Sequence, residues 1–374
     1  MSTIKISGKE ILIGKTIPWS IYDGKGTLLL QKGSMVTSNH QLNVLLERGM
    51  YRDELEVAEP TSVEREPVTG ESNPFEIFDD LAHRITEIFS RIVQQTGITY
   101  KELQEFCTDF QDLCEKDADA ALGAVHLCHN HPYTICHPLH GAILSELIAK
   151  SVGYDIEKRI PIVAAALTAN LGMLDLQEIL HHQPTPITDD QRERIQMHPE
   201  ESVRMLKEAG IDNPDLLQII KQHHERIDRS GYPDKLDRSA IIEGAQIIAI
   251  ADRYAAMVSS RSYRQSLRSK DALKEFFLQK NKLFDEKLTL TFIKELGVFP
   301  PGTYVTLRNG ETAVVVERGK ESMWPIVISL TGSGGALTED PVRRDCNSEL
   351  YAINEVVSVS EPLLFNLHTL WGYT

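Results

Sequence analysis

Cysteine is scarce and unpatterned in this chain. Its five cysteines, Cys107, Cys114, Cys128, Cys136 and Cys346, are scattered and form no C-x-x-C pair. A disulfide framework or a cysteine-rich zinc site needs paired spacings, so neither is expected, and a reducing cytosol fits. Positive charge is also short: 39 Lys and Arg stand against 54 Asp and Glu, a net charge of −15. Such a chain is not built to bind nucleic acid or an anionic membrane through bulk charge. No apolar N-terminal segment reads as a signal peptide, and no uninterrupted apolar run reaches the ~18 residues of a membrane span. The expectation is a cytoplasmic protein without a membrane span. Internal repeats and long low-complexity stretches are missing. No Ser or Cys has sequence neighbours that suggest a nucleophilic triad.

At 374 residues, with 41% apolar and 25% charged residues, the chain has room for two or three cored domains. Residues 1–58 read as a small β-rich module. Ile11–Gly14, Trp19–Tyr22 and Thr27–Leu30 are strand-like, Asp23-Gly24 makes a hairpin turn, and Ser38 caps a short helix running towards Gly49. Residues 59–73, rich in acids and proline, read as a linker. Two amphipathic helical stretches follow over 74–117, the first carrying Phe78, Leu81, Ile85 and Phe89 at helical spacing. They either pack on the next domain or form a dimerising bundle, and packing is the expectation. Residues 118–299 are mainly helical. Residues 300–374 return to β structure, with an Asn309-Gly310 hairpin, a third strand from Pro325 to Leu330 and a flexible Gly-rich loop over 331–335. The fold class is therefore mainly α, a helical bundle flanked by two small β units.

One string carries most of the functional signal. His223-His224-Glu225 ends the apolar run Leu216–Ile220 and leads into Gly231-Tyr232-Pro233. Imidazoles are the commonest transition-metal ligands at neutral pH, and a Gly-Tyr-Pro turn fixes the chain where a helix stops. Alone, a His pair at a helix end reads equally well as ordinary surface. The whole string resembles the signature of the HD-GYP family, bacterial phosphodiesterases that open cyclic di-GMP. Arg229 stands where that signature usually has Gly. The resemblance continues, in the family's order, through Tyr133-Thr134-Ile135-Cys136-His137, His198-Pro199, the apolar run Ile247–Ala251 ending in Asp252, and Arg261-Ser262-Tyr263-Arg264. It implies an HD-domain-like helical core.

The pair for which the family is named is missing. Ala169 and Asn170 occupy its His-Asp positions, Met173 that of the following Lys, and Ala255 that of a second Asp three residues after Asp252. The apolar lead Ile162–Leu167 and Gly172 remain, so the helix is kept while its chemistry is removed. No catalytic residue is intact on this reading. Two-metal phosphodiesterases hold cations about 3.5–4 Å apart. Two dications at that distance repel by roughly 15–20 kcal/mol at an effective dielectric of about 20, and a bridging carboxylate offsets part of that. Neutral Asn170 cannot do the same, although its carbonyl remains a weak oxygen ligand. Ala169 has no donor atom.

By resemblance, His198, His223 and His224 are ligands of one metal, and His137 and Asp252 are the surviving half of the other set. One divalent Fe, Mn or Zn ion, or none, is implied. Tyr133 stands in the place of an acid found in three-metal relatives, which argues against a third ion. Arg261 and Arg264 share a helical face and resemble a phosphate-binding pair. Gly231, Tyr232 and Pro233 resemble a turn implicated in contacts with diguanylate cyclase domains. Three readings follow. The first is a cyclic di-GMP signalling module that binds nucleotide or a protein partner, with hydrolysis lost or weak. The second is an active phosphodiesterase with an altered one-metal site. The third is a scaffold that binds no nucleotide. Homodimerisation stays open. His126 to His131 lacks a partner cluster and reads as a helix end with exposed histidines, and His181-His182 lies too far along the chain to replace Ala169.

Overall fold

The computed structural model describes residues 3–6, 11, 17, 19–31, 34–53, 73–259, 267–319, 321, 323–358 and 365–373. At the N-terminus, strands β1 (Thr3–Lys5), β2 (Ile21–Tyr22), β3 (Leu28–Leu30) and β4 (Tyr51–Asp53) form a sheet of order β1-β4-β2-β3, with helix α1 (Asn39–Arg48) beside it. The turn between β2 and β3 is the expected one. Asp23 accepts from the amides of Lys25 and Thr27, each at 2.8 Å. Ser38 caps α1 through the amide of Gln41. Ile6, Ile21, Val36, Leu45 and Met50 give this module a core of its own. The strand expected over Ile11–Gly14 lies, apart from Ile11, outside the described residues, as does most of the 59–73 linker.

The helical core begins with α2 (Pro74–Val93) and α3 (Tyr100–Lys116). Asn73 caps α2 with Pro74 in its first turn, and Thr99 with Glu102 forms a capping box on α3. These helices are not a separate bundle. Phe78, Leu81, Ile85, Phe106 and Phe110 share one continuous core with Leu139, Ile143 and Val163. Those last residues lie on α5 (Tyr133–Ser151) and α6 (Ile156–Thr168), which follow α4 (Ala118–Leu127). A short 3₁₀ turn, Leu171–Met173, then leads through α7 (Leu174–His182), α8 (Asp189–Glu208), α9 (Pro214–Gln222), α10 (Glu243–Val258), α11 (Ser269–Gln279) and α12 (Glu286–Leu296). The stretch Ile156–His182 is long and apolar enough to cross a membrane by composition, but its most apolar window is 67% buried inside the protein. Its first helix, α6, is buried in the bundle from Ile162 to Thr168.

The C-terminal unit has two strands beyond the three expected. It is an antiparallel sheet of order β8-β7-β6-β5-β9, built from β5 (Tyr304–Leu307), β6 (Thr312–Glu317), β7 (Ile326–Thr331), β8 (Leu337–Asp345) and β9 (Ile353–Val356). The Asn309-Gly310 turn is present, with Gly310 at a positive φ of 89°. The Gly-rich segment expected to be a free loop is the tight β7–β8 turn, closed by Gly332 and Ala336. One face of the sheet, Val314, Val316, Ile328 and Leu330, joins the helical core, while Ala313, Val315 and Val327 pack a smaller core with Phe299, Cys346 and Tyr351. The tail returns to the helices: in the final short helix α13 (Leu367–Leu370) and just beyond it, Leu370 and Trp371 are buried, Trp371 against Phe75.

Candidate metal centre

The middle of one helix and the end of another converge on a cluster of imidazoles. His198 lies within α8, followed by Pro199, and His223 and His224 follow the last residue of α9. One ring nitrogen from each lies within 4.8 Å of the others. The geometry fixes the tautomers. His198 Nδ1 donates to the Ile195 carbonyl and His223 Nδ1 to the Ile220 carbonyl, each at 2.6 Å. A neutral imidazole has one N–H, and both are spent on backbone oxygens. The two Nε2 atoms therefore present lone pairs to each other, at 3.3 Å. Burial pushes the His198 pKa down to about 3, with His223 beside it adding to the shift. Burial also lowers His223, and it lowers His224 well below the usual value with help from the other two rings. Nδ1–H donation to a backbone carbonyl is the arrangement that orients metal-bound histidines, so these residues fit one divalent transition ion.

The second half of the site is arranged differently. His137, on the first turns of α5, lies 2.8 Å from Asp252 of α10, and the Asn170 amide donates to the same carboxylate at 3.4 Å. Burial opposes ionisation of Asp252, but the neighbouring His137 and its hydrogen bond, aided by His224 and His223, more than offset this and hold its pKa below the usual carboxylate range. His137 Nε2 and Asn170 Nδ2 thus share one Asp252 oxygen, while His137 Nδ1 and Asn170 Oδ1 are buried without a hydrogen-bond partner among the described residues.

The altered turn is pinned to the histidine helix. Ser202 donates to the Ala169 carbonyl at 2.7 Å and accepts from the Gly172 amide at 2.9 Å. A Cβ on Gly172 would stand 2.7 Å from the His198 carbonyl, so only glycine allows this approach. Ala169 is 1% exposed and Ala255 fully buried. Both sit in packed core and present no side-chain donor to the cleft.

The Gly-Tyr-Pro turn is stitched to the ligands. Glu225 is not a ligand: its buried carboxylate accepts from the amides of Asp234 (2.7 Å) and Leu236 (3.0 Å). The Tyr232 amide donates to the His224 carbonyl, and its ring lies 4.8 Å from the His224 ring. Gly231 has no room for a side chain, its virtual Cβ lying 2.5 Å from the His224 carbonyl. The Tyr232-Pro233 peptide is cis. Arg229 holds φ at 64°, the left-handed region that explains why a glycine suits this position. Arg261 and Arg264 lie outside the described residues.

Two features were not foreseen. Tyr133 stacks between His137 (5.1 Å) and His181 (4.8 Å), so His181 lines the same region although it replaces nothing at Ala169. The histidines of 126–131 are less free than expected. His126 is half-buried, with Nε2 2.9 Å from the Tyr254 hydroxyl, and His131 lies 2.9 Å from Asp79.

Comparison with known proteins bears on the helical core. Residues 131–288 match the HD domain family model HD_5. A cyclic di-GMP phosphodiesterase of Pseudomonas aeruginosa, PA4108, is 28% identical over 209 residues, 55% of this chain and 49% of that protein. The cyclic di-GMP phosphodiesterase response regulator RpfG of Xanthomonas campestris is 31% identical over 144 residues, 38% of each chain. A 3'3'-cGAMP-specific phosphodiesterase of Vibrio cholerae is 31% identical over 135 residues, 36% of this chain and 31% of that protein. The helical core is similar to the HD domains of these phosphodiesterases. The fold agrees with that of Bd1817, an HD-GYP-type protein of Bdellovibrio bacteriovorus, with a TM-score of 0.51 over 78% of this chain and 99% of that one at 15% identity. The chain spans about half or less of the length of these curated relatives. The three-histidine cluster, the Gly-Tyr-Pro turn and Ala169-Asn170 all lie within the matched residues 131–288.

Proposed function

We propose that this protein is a cyclic-dinucleotide signalling module that holds one metal and has lost phosphodiesterase activity. The observation that carries this reading is the engagement of the Asp252 carboxylate by His137 Nε2 and the Asn170 amide, where the family's second metal would be held. Loss of Ala169, Met173 and Ala255 chemistry points the same way. His198, His223 and His224 would hold Fe, Mn or Zn. In a hydrolase such an ion generates hydroxide, and here it would brace the turn Gly231-Tyr232-Pro233. The nucleotide would be held through Arg261 and Arg264, and the turn would present Tyr232 to a partner such as a diguanylate cyclase domain or a second copy of the chain. Calorimetry with cyclic di-GMP tests the binding. Micromolar or tighter affinity that is lost in Arg261→Ala and Arg264→Ala, with intact nucleotide recovered afterwards, is expected. Absence of binding with an intact fold would leave a scaffold only.

A second reading, an active one-metal phosphodiesterase, is favoured by the three-histidine cluster itself. Three neutral imidazoles on zinc can bring a bound water towards a pKa of about 7. His223→Ala separates the two: activity that exists and survives that change does not arise from this cluster.

A further inference from the structure

The turn after α6 is closed by a side chain from α8. Where a helix ends, its backbone groups run out of helical partners, and Ser202 supplies two here. Its hydroxyl donates to the Ala169 carbonyl at 2.7 Å and accepts from the Gly172 amide at 2.9 Å. Among the described residues these are the only hydrogen bonds between α8 and residues 169–173. Ser202 is fully buried. It follows His198 by four residues, so the two share one face of α8. The turn lies so close to that face that a Cβ on Gly172 would stand 2.7 Å from the His198 carbonyl. The turn is therefore a stop against which the His198 segment of α8 rests, and Ser202 is the fastening.

The position of that segment matters to the imidazoles. Two nitrogens that each lie about 2.0–2.1 Å from a tetrahedral zinc ion stand about 3.3–3.4 Å apart. The Nε2 atoms of His198 on α8 and of His223 after α9 are already 3.3 Å apart. The pair is thus preset for a metal, and a small shift of α8 would undo the match. We propose that Ser202 is a positioning residue of the three-histidine site, setting its metal affinity by holding α8 against the turn Ala169–Gly172. This rests on the one-metal reading above and extends it. Ser202 touches no metal on this account; it acts through the placement of His198.

Cobalt(II) titration of the metal-freed full chain, followed by visible absorption, tests this. The wild type should bind one equivalent. Ser202→Ala removes both bonds and should bind one equivalent about tenfold or more weakly, with shifted bands because His198 meets the ion at a changed angle. Circular dichroism verifies folding, and Ser202→Cys, whose thiol is a weak hydrogen-bonding group, replaces the alanine variant if that one is unfolded. Wild-type affinity in the folded variant overturns the proposal. So does a weaker affinity with unchanged bands, which is what a loosened fold alone would give. A wild type that binds no cobalt overturns the one-metal reading itself, and this inference with it.

Discussion

The Nε2 atoms of His198 and His223 lie 3.3 Å apart with no proton to share, because each ring has committed its N–H to a backbone carbonyl. This contact is unfavourable in the metal-free protein and favourable with a cation between the rings.

Metal should therefore stabilise the fold. A ligand at a hundredfold excess over its Kd contributes about 2.7 kcal/mol. Thermal denaturation with and without zinc should show a higher Tm with metal, and His198→Ala should abolish the increase.

Acid sensitivity should arise partly outside the metal centre. Burial lowers the pKa of His126 to about 4, against 6.5 for an exposed ring. The unfolded chain then binds the extra proton below pH 6.5, so stability is complete above that pH and falls as pH drops towards 4. The His126 contribution is on the order of 3 kcal/mol. Urea midpoints at pH 7.5 and 5 should differ, and His126→Gln should shallow that difference.

Arg229 is strained at φ 64° and its ion pair with Asp237 is exposed. An exposed pair contributes about 0–1 kcal/mol, and left-handed backbone at a non-glycine residue costs about 1 kcal/mol or more. Arg229→Gly should leave stability equal or raise it by up to about 1 kcal/mol in urea denaturation.

Gly172→Ala should harm both fold and metal site. The added methyl would press on Glu201 and the His198 carbonyl at 2.7 Å. Overpacking of this kind costs about 1–3 kcal/mol. Urea denaturation should register that loss, and zinc affinity should fall as α8 is displaced from the turn.

Local strings made the helical core and its histidine cluster legible. His198, His223 and His224 were readable because each sits in a recognisable motif, and the Ala169-Asn170 replacement because the helix around it kept its apolar lead. What the rings bond to was not readable: their tautomers depend on backbone carbonyls one turn away. The roles of Ser202 and Glu225 left no trace either, since an ordinary serine and a motif acid acquire them only when distant turns meet. Strand β8 was hidden by Pro341, Arg343 and Arg344. It is an edge strand, where proline and charge are tolerated, and Glu317 and Glu311 pair with its arginines. His126 looked like an exposed helix end because Tyr254, its partner, lies far along the chain.

Metal content decides most directly. Elemental analysis of protein purified without added metal, with a cyclic di-GMP hydrolysis assay on the same sample, should give one transition metal per chain and no turnover. Two metals per chain with metal-dependent turnover would contradict the loss of the second site and of catalysis.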